Sequence, residues 1–148
     1  MSQVSNPAYT QTTAANQGPL AYAEILVAAA GTITLGLGTL NGVVQYGISH
    51  SGSLVPSGSG SSFGNADVVC LAYNQNTNNL WIRTNGNAWM GGGDPVAGSN
   101  PTLSGLAAGA YLIAVNAGTG GSGSVTGRFT AAACTMGIPS GYSSWSGT

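Results

Sequence analysis

Charge is what this sequence has least of. Asp, Glu, Lys and Arg make up 3% of its 148 residues, against roughly 25% in an average soluble domain. Lysine is absent, and the ionisable side chains of note are Glu24, Asp67, Asp94, Arg83, Arg128 and His50. Two arginines cannot neutralise the roughly six to ten phosphates that a DNA-binding surface contacts, so nucleic acid is not an expected partner. Long apolar runs are missing as well. The longest aliphatic stretch, ILVAAA at 25–30, is far short of the roughly 20 residues of a membrane helix, and no membrane association is expected. The opening MSQVSNPAYTQ has neither a basic n-region nor an apolar h-region. No secretory signal is therefore read, and assembly in a cytoplasm is expected.

These absences do not make the chain disordered. Disorder pairs low hydrophobicity with high net charge, whereas here 43% of residues are hydrophobic and the formal charge is −1. The length fits one domain with a single substantial core. A surface so poor in charge has little electrostatic defence against association. It reads as a subunit made to sit against neighbours.

What the sequence does have is alternation and 25 glycines. Residues 1–19, with Pro7 and Pro19 and many Thr, Asn and Gln, show no apolar period and read as an extended N-terminal arm or a loose terminus. LAYAEILVAAAG at 20–31 is ambiguous: its alanines suit a helix, while Ile25 and Val27 suit a strand. Beyond Gly31 the period is two. Ile33, Leu35 and Leu37 alternate with Thr34, Gly36 and Gly38, and Val44, Tyr46 and Ile48 share a face opposite Gln45 and Gly47. Residues 49–66 read as a Gly/Ser loop too polar for the core. DVVCLAY at 67–73 is nearly continuously apolar, as in a central sandwich strand; NQNTNN turns the chain and LWIR answers. Tyr111, Ile113 and Val115 mark a further strand, as do Val125 and Phe129, with Thr126 and Arg128 facing out. Asn85-Gly86 is a two-residue hairpin signal, because both residues tolerate positive φ. Short alternating strands with regular turns predict an all-β antiparallel sandwich or jelly roll over 20–148, with an arm at 1–19 and minimal helix. No repeat of 20 to 50 residues indicates a propeller or solenoid.

Catalytic constellations are thin. A glycosidase needs two carboxylates roughly 5 to 9.5 Å apart, and Glu24, Asp67 and Asp94 are each isolated in sequence. His50 lies in a Gly/Ser loop without a GxSxG elbow and reads as an exposed loop residue. No enzyme activity is expected. Cys70 and Cys134 have no CxxC or His spacing, so neither a metal nor another cofactor is expected. They read either as a disulfide or as two buried thiols acting as small hydrophobes.

The stretch NNLWIRTNGNAWMGGGDP at 78–95 concentrates two of the three tryptophans, one arginine and one acid. If Leu80 and Ile82 face the core, Trp81 and Arg83 face the other way. An outward Trp81 with Arg83, Trp89 and Asp94 would suit stacking on a sugar and bonding its hydroxyls. Against that, Trp81 can pack beneath the GGGDP loop and Trp89 or Trp145 can plug a sandwich end, since tryptophan is usually buried.

The order of parts in GNADVVCLAYNQNTNNLWIRTNGNAWMGGGDPVAGSNPTLSGL, followed by GSVTGRFTAAACTMGIPSGYSSWSG, resembles SPRY-like, concanavalin A-like domains found in structural proteins of tailed bacteriophages. Pro139, Ser140, Gly141, Tyr142 and Trp145 match that family's closing motif. The resemblance spans 64–147 and, more weakly, 45–52; residues 1–40 lack the family's usual aromatic strand. It implies a jelly-roll subunit of a virion, decorating the capsid or another particle surface through contacts with other virion proteins and with copies of itself. The rival reading is a carbohydrate-binding module for host adsorption, at a tail tip or head fibre. Fold alone does not choose between them.

Overall fold

A computed structural model describes residues 3–5, 8–12, 14–39, 43–118 and 121–148. The chain is an all-β sandwich of two sheets, antiparallel apart from one short strand. The strands are β1 (Gln3–Ser5), β2 (Ala8–Gln11), β3 (Leu20–Ala29), β4 (Thr34–Gly38), β5 (Val44–Ser49), β6 (Leu54–Val55), β7 (Val68–Asn74), β8 (Asn79–Thr84), β9 (Leu112–Gly118), β10 (Ser122–Arg128) and β11 (Ser143–Ser144). The first sheet runs β1-β10-β3-β7-β8, and the second β2-β9-β4-β5-β6. Strand β11 lies parallel to the start of β3, on residues that β10 does not reach. Helix among the described residues is one 3-10 turn, Met90–Gly92, and none is long and apolar enough to cross a membrane.

The ambiguous stretch at 20–31 is the ten-residue strand β3. Both flanks of β3 are taken by other strands, and that tertiary context overrides the helix preference of its alanines. The two sheets bury one core between them. Ile25 and Val27 of β3, Leu71 and Tyr73 of β7, and Leu80 and Ile82 of β8 meet Leu35, Leu37, Ile113 and Val115 of the other sheet. Strand β7 is continuously apolar because both of its faces are covered. Val69, Leu71 and Tyr73 enter the central core, while Val68 and Cys70 enter a second cluster on the opposite face.

Three expectations are corrected. Val44 does not continue the face of Tyr46 and Ile48: a register shift pairs it with Gly38 directly after Leu37 pairs with Tyr46. A bulge of this kind interrupts the period-two alternation. The Gly/Ser segment 49–66 is not wholly outside the core, since Phe63 is buried there and Leu54 packs against it. His50 is half-buried rather than exposed. Its backbone bridges Ile33 and Phe63, and its Nδ1 is buried without a partner.

Residues assigned to the arm supply edge strands to both sheets. Strand β1 pairs β10 and β2 pairs β9, so each sheet takes one edge strand from this segment. Asn16 follows as a fixed point. It is 8% exposed, and its side chain donates to Gly18 and Gln75 at 2.8 Å each and accepts from Tyr111 N–H at 2.9 Å.

Close backbone approach between β4 and β5 requires glycine. A methyl on Gly47 would run into the carbonyl oxygen of Leu35 and lie 2.9 Å from the Cα of Gly36. Gly86 has no neighbour within 4 Å of such a methyl. Gly47→Ala is therefore expected to destabilise by about 1–3 kcal/mol, the usual range for overpacking. Gly86→Ala should stay within about 0.5 kcal/mol. Urea unfolding midpoints of the two variants check this.

Candidate functional site

The residues that carry chemistry collect on the outer face of the first sheet. Strand register sets them in lateral rows. Arg128, Glu24, Cys70 and Arg83 are successive cross-strand partners on β10, β3, β7 and β8. Tyr22, Ala72 and Trp81 form the adjacent row. In an ordinary sandwich this face would meet water. Here the segment after β10, residues 129–142, folds back over it as a flap. Cys134, Met136, Ile138 and Tyr142 pack on Tyr22, Val68, Cys70, Ala72 and Trp81.

Glu24 holds the flap. Its carboxylate is fully buried and accepts from Thr135 N–H at 2.9 Å, Met136 N–H at 2.8 Å and the Tyr22 hydroxyl at 2.8 Å. The Arg128 guanidinium lies 3.5 Å away and also donates to Thr135 Oγ1 at 2.7 Å. Burial pushes the carboxyl up, but the two amides, the tyrosine and the arginine outweigh it and leave it below its ordinary value. Burial drives the Tyr22 hydroxyl in the other direction, well above the usual phenol range, so it remains a donor.

Arg83 grips the next carbonyls. Its Nη2 donates to Met136 O at 2.9 Å and Gly137 O at 3.0 Å. Met136 is thus held by a carboxylate on its N–H and by a guanidinium on its C=O. Arg83 Cζ also sits 4.4 Å from the Trp89 ring centroid, within cation–π range. Trp89 in turn meets Tyr22 edge-on at 6.5 Å.

The four residues proposed for glycan contact do come together, around the loop after β8. Trp81 has no exposed surface; its Nε1 donates to Ser99 O at 2.8 Å. A methyl on Gly93 would meet the Trp81 ring at 2.8 Å, so the tryptophan lies directly under the GGGDP loop. Trp89 is half-buried with Arg83 against its face. Asp94 is exposed and accepts from Val96 and Ala97 N–H at 2.9 and 3.1 Å, while its backbone pairs with Ser99. The quartet is a scaffold for the loop. Asn85-Gly86 does not make the expected two-residue hairpin. Asn85 alone is left-handed, at φ 56°; its side chain returns to Val68 N–H and Asp67, and the chain then departs into residues 86–100.

The three acids serve three separate networks. Asp67 accepts from Gly64 N–H at 2.8 Å and from Asn85 Nδ2 at 3.0 Å, apart from the Glu24 and Asp94 sets. Among the described residues no group of three or more His, Cys, Asp or Glu is placed to hold a metal. Both thiols are unbonded, Cys70 buried and Cys134 half-buried. Burial foremost, with Glu24 nearby, pushes the Cys134 thiol up to about 11.

Sequence reasoning passed over the Glu24 clamp. A usable signal was present: a lone acid within the apolar run LAYAEILVAAA must either break the strand or be paired, because an isolated buried charge is too costly. Trp145, in the closing motif, is buried at 2% exposure and caps the central core beside Tyr73. The chain matches no protein-family model and no curated protein.

Because Glu24 sits below its ordinary value of 4.5 when folded, its contribution is complete above that pH and is lost as pH falls through the depressed value. Acidification below about pH 4 should lower the hydrogen-exchange protection of residues 130–138 before that of β7. Glu24→Gln should remove this pH dependence and cost about 3–5 kcal/mol, as expected for breaking a buried ion pair. Peptide-resolved exchange, corrected for intrinsic rates, reads both.

Proposed function

We propose that this chain is a non-enzymatic structural subunit of a tailed-phage virion, set on the capsid or another particle surface and held by other virion proteins and by copies of itself. One observation carries the reading: the charged side chains are used inside the subunit. Glu24, Arg128 and Arg83 secure the flap, Asp67 fixes the turn before β7, and Asp94 caps its own loop. Asp94 apart, which is exposed, the outside is left mostly to backbone, amide, hydroxyl and small apolar groups, which suit close packing against neighbours rather than steering of a charged ligand. The resemblance to SPRY-like phage structural domains points the same way. The carbohydrate-binding reading is less favoured, since Trp81 offers no face to a sugar and Arg83 is engaged with flap carbonyls.

The test is to locate and count the protein in purified particles and to wash them at low and high salt. Hundreds of copies on the head would indicate decoration, and a few at the tail would indicate adsorption. Retention should be nearly unchanged from low salt to about 1 M, where the Debye length falls to about 3 Å. Release that tracks ionic strength would refute contacts of this kind, and absence from particles would refute the virion role.

A further inference from the structure

We propose that strands β1 and β2 form an exchangeable strap, and that copies of this chain join by donating it to β10 and β9 of a neighbour. The inference stands on backbone register and does not depend on the virion role.

The strap is held by strand pairing. Gln3, Val4 and Ser5 are the Cα partners of Ser124, Gly123 and Ser122. Ala8, Tyr9, Thr10 and Gln11 are those of Gly118, Asn116, Val115 and Ala114. Ladder hydrogen bonds are indifferent to which copy supplies the strand, so exchange of an identical element recreates the same bonds between copies.

The position of the anchor favours exchange. Asn16 is fixed to Tyr111, Gln75 and Gly18, and β3 begins four residues later at Leu20. Strands β1 and β2 lie N-terminal to this anchor, so another copy can supply them while Asn16 and β3 keep their own contacts. Thr12, whose N–H and Oγ1 both bond to Ile113 of β9, leaves with the strap. The four chain steps from it to Asn16 can span up to about 14 Å when extended, enough to pass to a copy abutting the same edge. Residues 1–19 carry no charged side chain, so none of the charge that normally guards an edge strand opposes pairing with a second copy.

The other sheet edges are poor acceptors. Strand β8 is closed by the segment after the loop: Leu80 and Leu103 exchange backbone bonds at 2.9 and 3.0 Å, Leu106 N–H reaches Asn78 O, and Thr102 Oγ1 takes Ile82 N–H. Strand β6 has two residues and is followed by Pro56. Strands β10 and β9 are the last strands of their sheets once β1 and β2 are removed, and β1 and β2 are what cover them.

The test uses the full chain in two single-cysteine additions, Gln3→Cys and Ser124→Cys, which alter one Cα-partner pair. Mixing the two variants, unfolding, refolding together at high concentration and oxidising with glutathione disulfide should give a covalent dimer that neither variant forms alone. The double variant at low concentration should close within one chain. In parallel, a chain lacking residues 2–11 should bind a fluorescent peptide of residues 2–12, but not a scrambled peptide, and should be monomeric by light scattering under conditions where the full chain is expected to associate. No mixed dimer, with intrachain closure in the double variant at every concentration, would overturn the proposal. So would a folded deletion variant that ignores the peptide. If the deletion variant does not fold, the mixed cross-link decides alone. Failure here leaves the particle-location test untouched, because everything is done on isolated protein.

Discussion

The structure depends on one buried carboxylate. Leaving Glu24 ionised inside the protein would cost several kcal/mol if its oxygens were unmatched. They are matched by two flap amides, a tyrosine hydroxyl and an arginine. That match makes the flap part of the fold rather than a loose tail. Once seated, the flap turns the outer face of the first sheet into a second apolar layer, sealing Tyr22, Cys70 and Trp81. Strand β7 can then be apolar on both faces without exposing either. Arg83 completes the arrangement from β8, two strands along the same face, by holding the carbonyls next to the amides that Glu24 holds.

Low charge content therefore has a structural meaning. With 3% charged residues, a chain that spent them on the surface would have none for its interior connections. Here they are concentrated where backbone groups of irregular segments need strong partners. Charge-assisted hydrogen bonds are roughly twice as strong as neutral ones, so a few such groups fix two long loops. What faces outward is correspondingly poor in charge, and association has to rely mainly on shape and on main-chain bonding.

Much of the framework is legible in the sequence, because period-two alternation reports which side of a sheet each residue takes. Ile33, Leu35, Leu37, Ile113, Val115 and Val125 lie in the core as their spacing implies. Legibility fails where pairing departs from regularity. The register shift at Val44 leaves no local mark, and Phe63 reaches the core from a segment whose composition is that of a loop. The strands within 3–11 carry no apolar period, because edge strands held by main-chain bonds need none. For the site, the opposite orientation of Leu80 and Trp81 could be read from alternation. That Trp81 packs beneath the GGGDP loop was also open to the sequence and holds, whereas the second cover, from residues some fifty positions later joined through Glu24 and Arg83, left no local signal.

The same roof has a consequence for chemical durability. The chain has two cysteines, and both lie under or beside the flap. Thiolate is the reactive form, and with Cys134 pushed up to about 11 only roughly one molecule in ten thousand carries it at neutral pH. Burial likewise raises Cys70. The sulfurs are thus passivated by the packing that closes the sheet, and their oxidation is coupled to how often the flap lifts.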